Sequence, residues 1–132
     1  MKRKKRKGRR RPYNRLGGQD LYARMVRLMT GRKLYLDKDC NRDRLARELM
    51  TNRTYVSRAL NARGMSCAQF VNSFRAQHAI GLLASEDQAE LPLADIAELS
   101  GFSTIESMNR YVKKCVGLTA CALRKKYTGA RK

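Results

Sequence analysis

The sequence is poor in several of the residues that carry chemistry. It has two prolines, no tryptophan and one histidine among 132 residues. That histidine, His78, has no Asp, Ser or Cys constellation around it, so nothing supports catalysis and no cofactor is implied. Cys40, Cys67, Cys115 and Cys121 form no C-x-x-C pair, which excludes zinc-finger spacing and leaves no metal site to propose. Four unpatterned cysteines without a signal peptide point to reduced, mostly buried thiols and a cytoplasmic setting. For Cys115 and Cys121 core packing is the expected use, ahead of a bridge between the last two helices. No apolar run approaches the ~18 residues that a membrane helix requires. Negative charge is also scarce, with 11 acidic residues against 30 basic ones and a net charge of +19.

The positive charge is unevenly spread. Residues 1–15 hold ten Lys or Arg and no acid, and the remaining 117 hold twenty basic and eleven acidic residues. The body is therefore basic in its own right, which favours a polyanionic partner, nucleic acid first and an anionic membrane surface second. The run KRKKRKGRRR at residues 2–11 repels itself and is expected to be disordered when free. Its readings are a DNA-binding arm, the cytoplasmic flank of a membrane helix lying upstream, or a solvated tail.

The chain is organised around LPLADIAELSGFSTIESMNRYVKKCVG, Leu91 to Gly117. Pro92 suits a first helical turn because its missing N–H would be unpaired there. Leu93, Ile96, Ala97 and Leu99 follow at helical spacing, and Ser100-Gly101 stops the helix. Ser103 reads as the N-cap of a second helix, with Glu106 completing a capping box. Met108, Val112 and Cys115 or Val116 form its apolar stripe, and Gly117 ends it. A small Ala97 lets the helices cross closely, so the pair reads as a helix-turn-helix. The outward face of the second helix carries Glu106, Ser107, Asn109, Arg110, Lys113 and Lys114, types that reach base edges and phosphates.

The same pattern occurs earlier. After Gly17-Gly18, Asp20 can cap a helix to about Met29, with Leu21, Met25, Leu28 and Met29 inward and Gly31 as its stop. Leu34-Tyr35-Leu36 reads as a buried connector. Asn41 caps a helix with Leu45, Ala46 and Leu49 inward. A corner at Met50-Thr51 leads to Asn52, the cap of a helix to about Arg63. In that helix Val56, Ala59 and Leu60 point inward, and Arg53, Thr54, Ser57, Arg58 and Asn61 outward. Ala46 precedes its corner by four residues, as Ala97 precedes Gly101. Between the two units, Ser66 to about Ala84 reads as one helix of roughly 28 Å at ~1.5 Å per residue. One turn of B-DNA is about 34–36 Å, so such a strut suits two readers in successive major grooves. Thr119 caps a closing helix through Tyr127, with Leu123 and Tyr127 packing and Arg124, Lys125 and Lys126 exposed.

Several of these residues occur in a known combination. I-A-x-x-x-G-F-S at Ile96–Ser103, N-R-x-x-K at Asn109–Lys113 and G-x-T at Gly117–Thr119 resemble the DNA-binding domain of the AraC/XylS family of bacterial transcription regulators. Leu45-Ala46, Y-x-S-R at Tyr55–Arg58, and Asn72, Arg75, Ala79, Leu82 and Leu83 extend the resemblance to roughly Leu21–Tyr127. Departures are Met108 and Val112 where the family has phenylalanines, Ala120 where it has proline, and Leu123 where it has an aromatic residue. The first corner also lacks glycine. If Met50 is left-handed there, the conformation costs ~1–2 kcal/mol.

The resemblance implies an all-α fold of about seven helices, two helix-turn-helix subdomains joined by a long linker helix. The expected division is a basic disordered arm at 1–17, subdomains at 18–64 and 87–132, and the linker at 65–86. It further implies a sequence-specific regulator of transcription acting on double-stranded DNA, usually an activator touching RNA polymerase. Members usually carry a separate sensing or dimerisation domain. The chain is therefore expected to be either a stand-alone regulator governed by its abundance or the terminal piece of a larger protein whose sensing domain is missing here. The alternatives are a non-specific nucleic-acid binder and the cytoplasmic DNA-binding end of a membrane-anchored sensor.

The expected DNA-binding residues are Asn52, Arg53, Thr54, Ser57 and Arg58 in the first reader. In the second they are Ser103, Thr104, Glu106, Ser107, Arg110, Tyr111, Lys113 and Lys114. Arg58 is the foremost base contact, because a bidentate guanidinium matches the O6/N7 edge of guanine. Arg75, on a largely apolar face, is expected to serve structure by pairing with an acid such as Asp95.

Overall fold

The computed structural model describes residues 21–85 and 90–130. The basic arm and the Asp20 cap lie outside the described residues. Within them the chain is all helical, with seven α-helices and no strand. These are α1 (residues 21–32), α2 (Arg42–Glu48), α3 (Arg53–Asn61), α4 (Cys67–Ala84), α5 (Leu93–Leu99), α6 (Ile105–Val116) and α7 (Ala120–Ala130). A single 3-10 turn at Leu34–Leu36 follows α1. The described residues divide into two units, those of 21–34 with 40–70, and those of 35–39 with 71–130.

In the first unit, Leu21, Met25 and Met29 recur every four residues along α1 and are fully buried. The helix does not stop at Gly31. It runs through residue 32, and Lys33 makes the stop with a left-handed φ of 52°. Asn41 caps α2 by accepting from the Arg44 N–H at 2.8 Å. That satisfies one of the donors a helix start leaves open. Leu45, Ala46 and Leu49 face inward as their spacing requires.

The α2–α3 corner closes with Thr51 N–H donating to Ala46 O at 2.9 Å, the bond that wraps a helix end around a left-handed residue. That residue is Met50, with φ 57° and a side chain 91% exposed. Asn52 caps α3 through the Tyr55 N–H. The helix ends at Asn61, two residues short of expectation, because Ala62–Gly64 turn and Met65 N–H returns to Leu60 O. The one reciprocal capping box among the described caps opens α4. Ser66 Oγ accepts from Gln69 N–H, and Gln69 Oε1 from Ser66 N–H. Tyr22 meets the buried Phe70 edge-on at 5.8 Å, and the Arg63 guanidinium lies over the Tyr22 ring at 3.9 Å.

The second unit packs Ala76, Ala79, Leu83, Ile96, Ala97, Phe102, Met108, Val112, Ala120 and Leu123 into one cluster. Each fully buried Ile, Met or Val contributes ~1.5–3 kcal/mol through its removal from water. Pro92 is the N-cap of α5, one position before the first-turn place expected of it. Leu99 is 50% exposed, because Ser100, four residues after Ile96, takes the inward place. The Ser100 hydroxyl is fully buried with no hydrogen-bond partner.

Arg75 is structural, but not through Asp95. Its Nε donates to Tyr35 O at 2.7 Å, Nη2 to Asp37 O at 2.8 Å and Nη1 to Asn72 Oδ1 at 2.9 Å. Asp95 is exposed. The long guanidinium straps the Tyr35–Asp37 turn onto α4, where carbonyls would otherwise be buried without donors. Gly101 sits against the same strap. A Cβ there would lie 2.5 Å from Tyr35 O and 2.9 Å from Arg75 Nε, and φ is +93°. Space and backbone conformation both require glycine.

Candidate nucleic-acid interface

The two corners are close relatives that differ by one residue. In the second, Phe102 N–H donates to Ala97 O at 2.9 Å, matching Thr51 to Ala46. The left-handed place held by Met50 belongs here to Gly101. The N-cap of α6, however, is Thr104 and not Ser103. Thr104 Oγ1 accepts from the Ser107 N–H at 3.1 Å. The extra residue accommodates Phe102, whose ring is buried and stacks on Tyr111 at 6.3 Å. The Ser103–Glu106 capping box is therefore absent, and Glu106 is exposed in the first turn of α6 without a capping task.

Aligning the true caps, Asn52 with Thr104, sets α3 and α6 in register at an offset of 52 residues. Buried Val56 then matches Met108, and buried Leu60 matches Val112. On the outer face Thr54 matches Glu106, Arg58 matches Arg110 and Asn61 matches Lys113, while half-buried Ser57 falls at the place of Asn109. Both arginines are exposed. Each rests near an aromatic ring, Arg58 at 6.0 Å from Tyr55 and Arg110 at 5.7 Å from Tyr111. An aromatic face attracts a cation weakly, so both guanidiniums are held near their helices with donors to spare.

Of the residues expected to touch DNA, Asn52, Arg53, Thr54 and Arg58 are exposed in the first reader, and Ser57 is half-buried. In the second, Ser103, Thr104, Glu106, Arg110, Lys113 and Lys114 are exposed, and Ser107 and Tyr111 are half-buried. Tyr111 packs on Phe102 and carries Lys114 at 5.3 Å as well as Arg110. Asn109 does not belong to the outer face. Its Oδ1 accepts the Ala120 N–H at 2.9 Å, so it fastens α7 to α6.

The lower end of α6 also departs from expectation. Val116 is 42% exposed and Cys115 is exposed, leaving Met108 and Val112 as the stripe. Cys121 is exposed as well, and none of the four cysteines forms a disulfide. Cys115 and Cys121 thus serve neither core packing nor a bridge. In α7 Leu123 is buried, but Tyr127 is 42% exposed. Arg124 is half-buried and donates to Leu91 O, while Lys125 and Lys126 face solvent. Among the described residues no group of His, Cys, Asp or Glu could hold a metal ion. No described helix is long and apolar enough to cross a membrane.

The two units differ in charge. α2 carries Arg42, Arg44 and Arg47 against Asp43 and Glu48, and α5 carries Asp95 and Glu98 with no base. From residue 76 to residue 109 the sequence has six acidic residues and no Lys or Arg. Apart from Lys38 and Arg75, the basic residues described in the second unit all lie on α6 and α7.

Sequence reasoning missed Arg42. Beside α3 lies a shallow hollow of about 260 Å³ lined by Arg42, Arg53, Thr54, Ser57, Arg58 and Asn61. Arg42 Nη1 donates to Ser57 Oγ at 3.0 Å. No local pattern links the two, because Arg42 precedes Ser57 by fifteen residues and belongs to a different helix.

A family model described as a helix-turn-helix domain matches residues 45–126. No curated protein and no solved structure matches the chain. With two helix-turn-helix corners built on the same bonds, the chain belongs to the AraC-type helix-turn-helix family of DNA-binding transcription regulators.

Proposed function

We propose that the protein is a sequence-specific regulator of transcription, acting as an activator, that inserts α3 and α6 into successive major grooves of one duplex. The single observation that carries this reading is the shared register of the two helices, which gives each an exposed arginine at the same place, Arg58 and Arg110. A guanidinium there can bind guanine O6 and N7 together. Thr54 and Glu106 occupy the matching outer position nearest each helix start, where side chains of a recognition helix meet base edges. Glu106 would accept from cytosine N4. Lys113, Lys114 and Arg53 would neutralise backbone phosphates.

In this reading RNA polymerase is the protein partner, and the protein works in the cytoplasm at the nucleoid. The basic residues 2–11 would add sequence-independent affinity, each neutralised phosphate contributing about −0.9 to the slope of log K against log salt.

A competition titration tests the reading. The protein should prefer a site of about 20 bp, recovered by selection from random DNA, over bulk DNA by ~10³-fold or more. Equal affinity for both would make it a non-specific nucleic-acid binder, the reading that the charge of +19 would also fit.

A further inference from the structure

Ser57 stands on the outer side of α3, but its hydroxyl already holds a partner. Arg42, the first residue of α2, reaches across the corner and donates from Nη1 to Ser57 Oγ. A guanidinium has five N–H donors, and this bond uses one. Arg42 is exposed, and it lines the 260 Å³ hollow together with Arg53 and Arg58, with no carboxylate in the lining. Arg42, Ser57 and Asn61 also line a second hollow of about 490 Å³ that extends toward Ser66 and Cys67. Arg53 is shared with the exposed Asp43, whose Oδ1 lies 3.5 Å from its Nε. Arg42 and Arg58, beside this polar hollow, form a receptor for an oxyanion.

We propose that Arg42 binds a non-bridging phosphate oxygen of the duplex beside the groove that α3 enters, and that Ser57 serves to position Arg42 instead of reading a base. The inference rests on the DNA-binding reading above and assigns the Arg42–Ser57 pair a role within it. Arg42 reaches the site from the helix that precedes the reader, and in a helix-turn-helix it is that first helix which crosses the phosphate backbone. The contact belongs to one unit only. In α5 the place of Arg42 is taken by Leu93, which is half-buried, and in α6 the place of Ser57 is taken by Asn109, which is bound to Ala120. This phosphate contact should thus be found at one half-site only.

The test is a double-mutant cycle on the full chain, read by fluorescence anisotropy on a labelled duplex selected from random DNA, at several salt concentrations. Arg42→Ala should weaken binding ~10- to 100-fold, as expected for a lost bond to a charged group. It should also reduce the magnitude of the salt slope by ~1 and leave base preference unchanged. Ser57→Ala should weaken binding in the parent chain and have no further effect once Arg42 is alanine. Arg42→Lys should keep the salt slope but recover only part of the affinity, because lysine offers a point charge without the fork. Phosphate-ethylation interference should then lose a signal in one half-site only.

If Ser57→Ala keeps its full effect beside Arg42→Ala and relaxes preference at one base pair, Ser57 reads a base and the proposal is overturned. If Arg42→Ala binds as the parent does while Arg110→Ala is weakened, only this inference fails. If the parent chain binds no duplex, the functional reading fails with it. Circular dichroism of each variant confirms folding, which the exposure of Arg42 makes the expected result.

Discussion

Asn109 Oδ1 receives the main-chain N–H of Ala120 at 2.9 Å, so a side chain of α6 caps the start of α7. The family resemblance places proline at 120, a residue with no N–H to give. Here alanine leaves that donor in place, and Asn109 uses it. Asn109→Ala should lower stability by ~0.5–2 kcal/mol, the usual range for a lost cap, with DNA base preference unchanged. Ala120→Pro suits a first helical turn but removes the donor. In that background Asn109→Ala should cost clearly less, and denaturant unfolding of the four proteins measures the difference.

The two corners respond in opposite directions to the same kind of change. Met50 holds φ 57° with an exposed side chain, so Met50→Gly relieves backbone strain without removing packing. Against the ~1–2 kcal/mol of strain stands the entropy of glycine in the unfolded chain, ~0.5–1 kcal/mol. The expected net effect is a small rise in melting temperature. Gly101→Ala should destabilise by more than ~3 kcal/mol, because backbone strain and the Tyr35 and Arg75 clashes add. Thermal melts of both variants decide this.

Ser100 buries its hydroxyl with no partner. Ser100→Ala removes an unsatisfied polar group worth ~1–3 kcal/mol of desolvation and keeps almost the same volume. The variant should be as stable as the parent or more so, by equilibrium unfolding.

Glu48 accepts from Arg32 at 2.7 Å and from Arg44 at 3.1 Å. The Arg32 bond first, then the Arg44 bond, hold its carboxyl below the ordinary value of 4.5. The native state then binds the proton less readily than the unfolded chain. Its contribution to stability is present above the ordinary value and is lost as pH falls through the depressed one. Glu48→Gln should lower the midpoint of urea unfolding at neutral pH, and the gap from the parent should close in acid. High salt should narrow it too, since the pair is partly exposed.

How much could be read in advance follows from the range of the interactions. Asn41 and Asn52 were legible as caps because a cap bonds three residues ahead, within one stretch of sequence. The buried faces of α1, α2 and α3 were legible for the same reason. Ser103 misled because serine and threonine stand side by side before α6. The choice between them depends on how much chain Phe102 needs to reach the core. The strap from Arg75 to Tyr35 and Asp37 spans forty and thirty-eight residues, and its acceptors are carbonyls, which every residue has. Asn109 looked like a reader because its residue type suits bases. Its partner lies eleven residues ahead, on another helix. The candidate readers on α3 were found by pattern, and Arg42 could not be, since it joins them only through the corner.

The central claim is that α3 and α6 both read the duplex through equivalent arginines. The most direct measurement is selection of binding sites from random DNA with the parent chain, Arg58→Ala and Arg110→Ala in parallel. The account predicts a parent site with two conserved blocks about 10–10.5 bp apart. Each variant should lose preference within a different block, at ~1–3 kcal/mol per affected base pair. A site with a single block, or uniform weakening over all sequences in both variants, would contradict it.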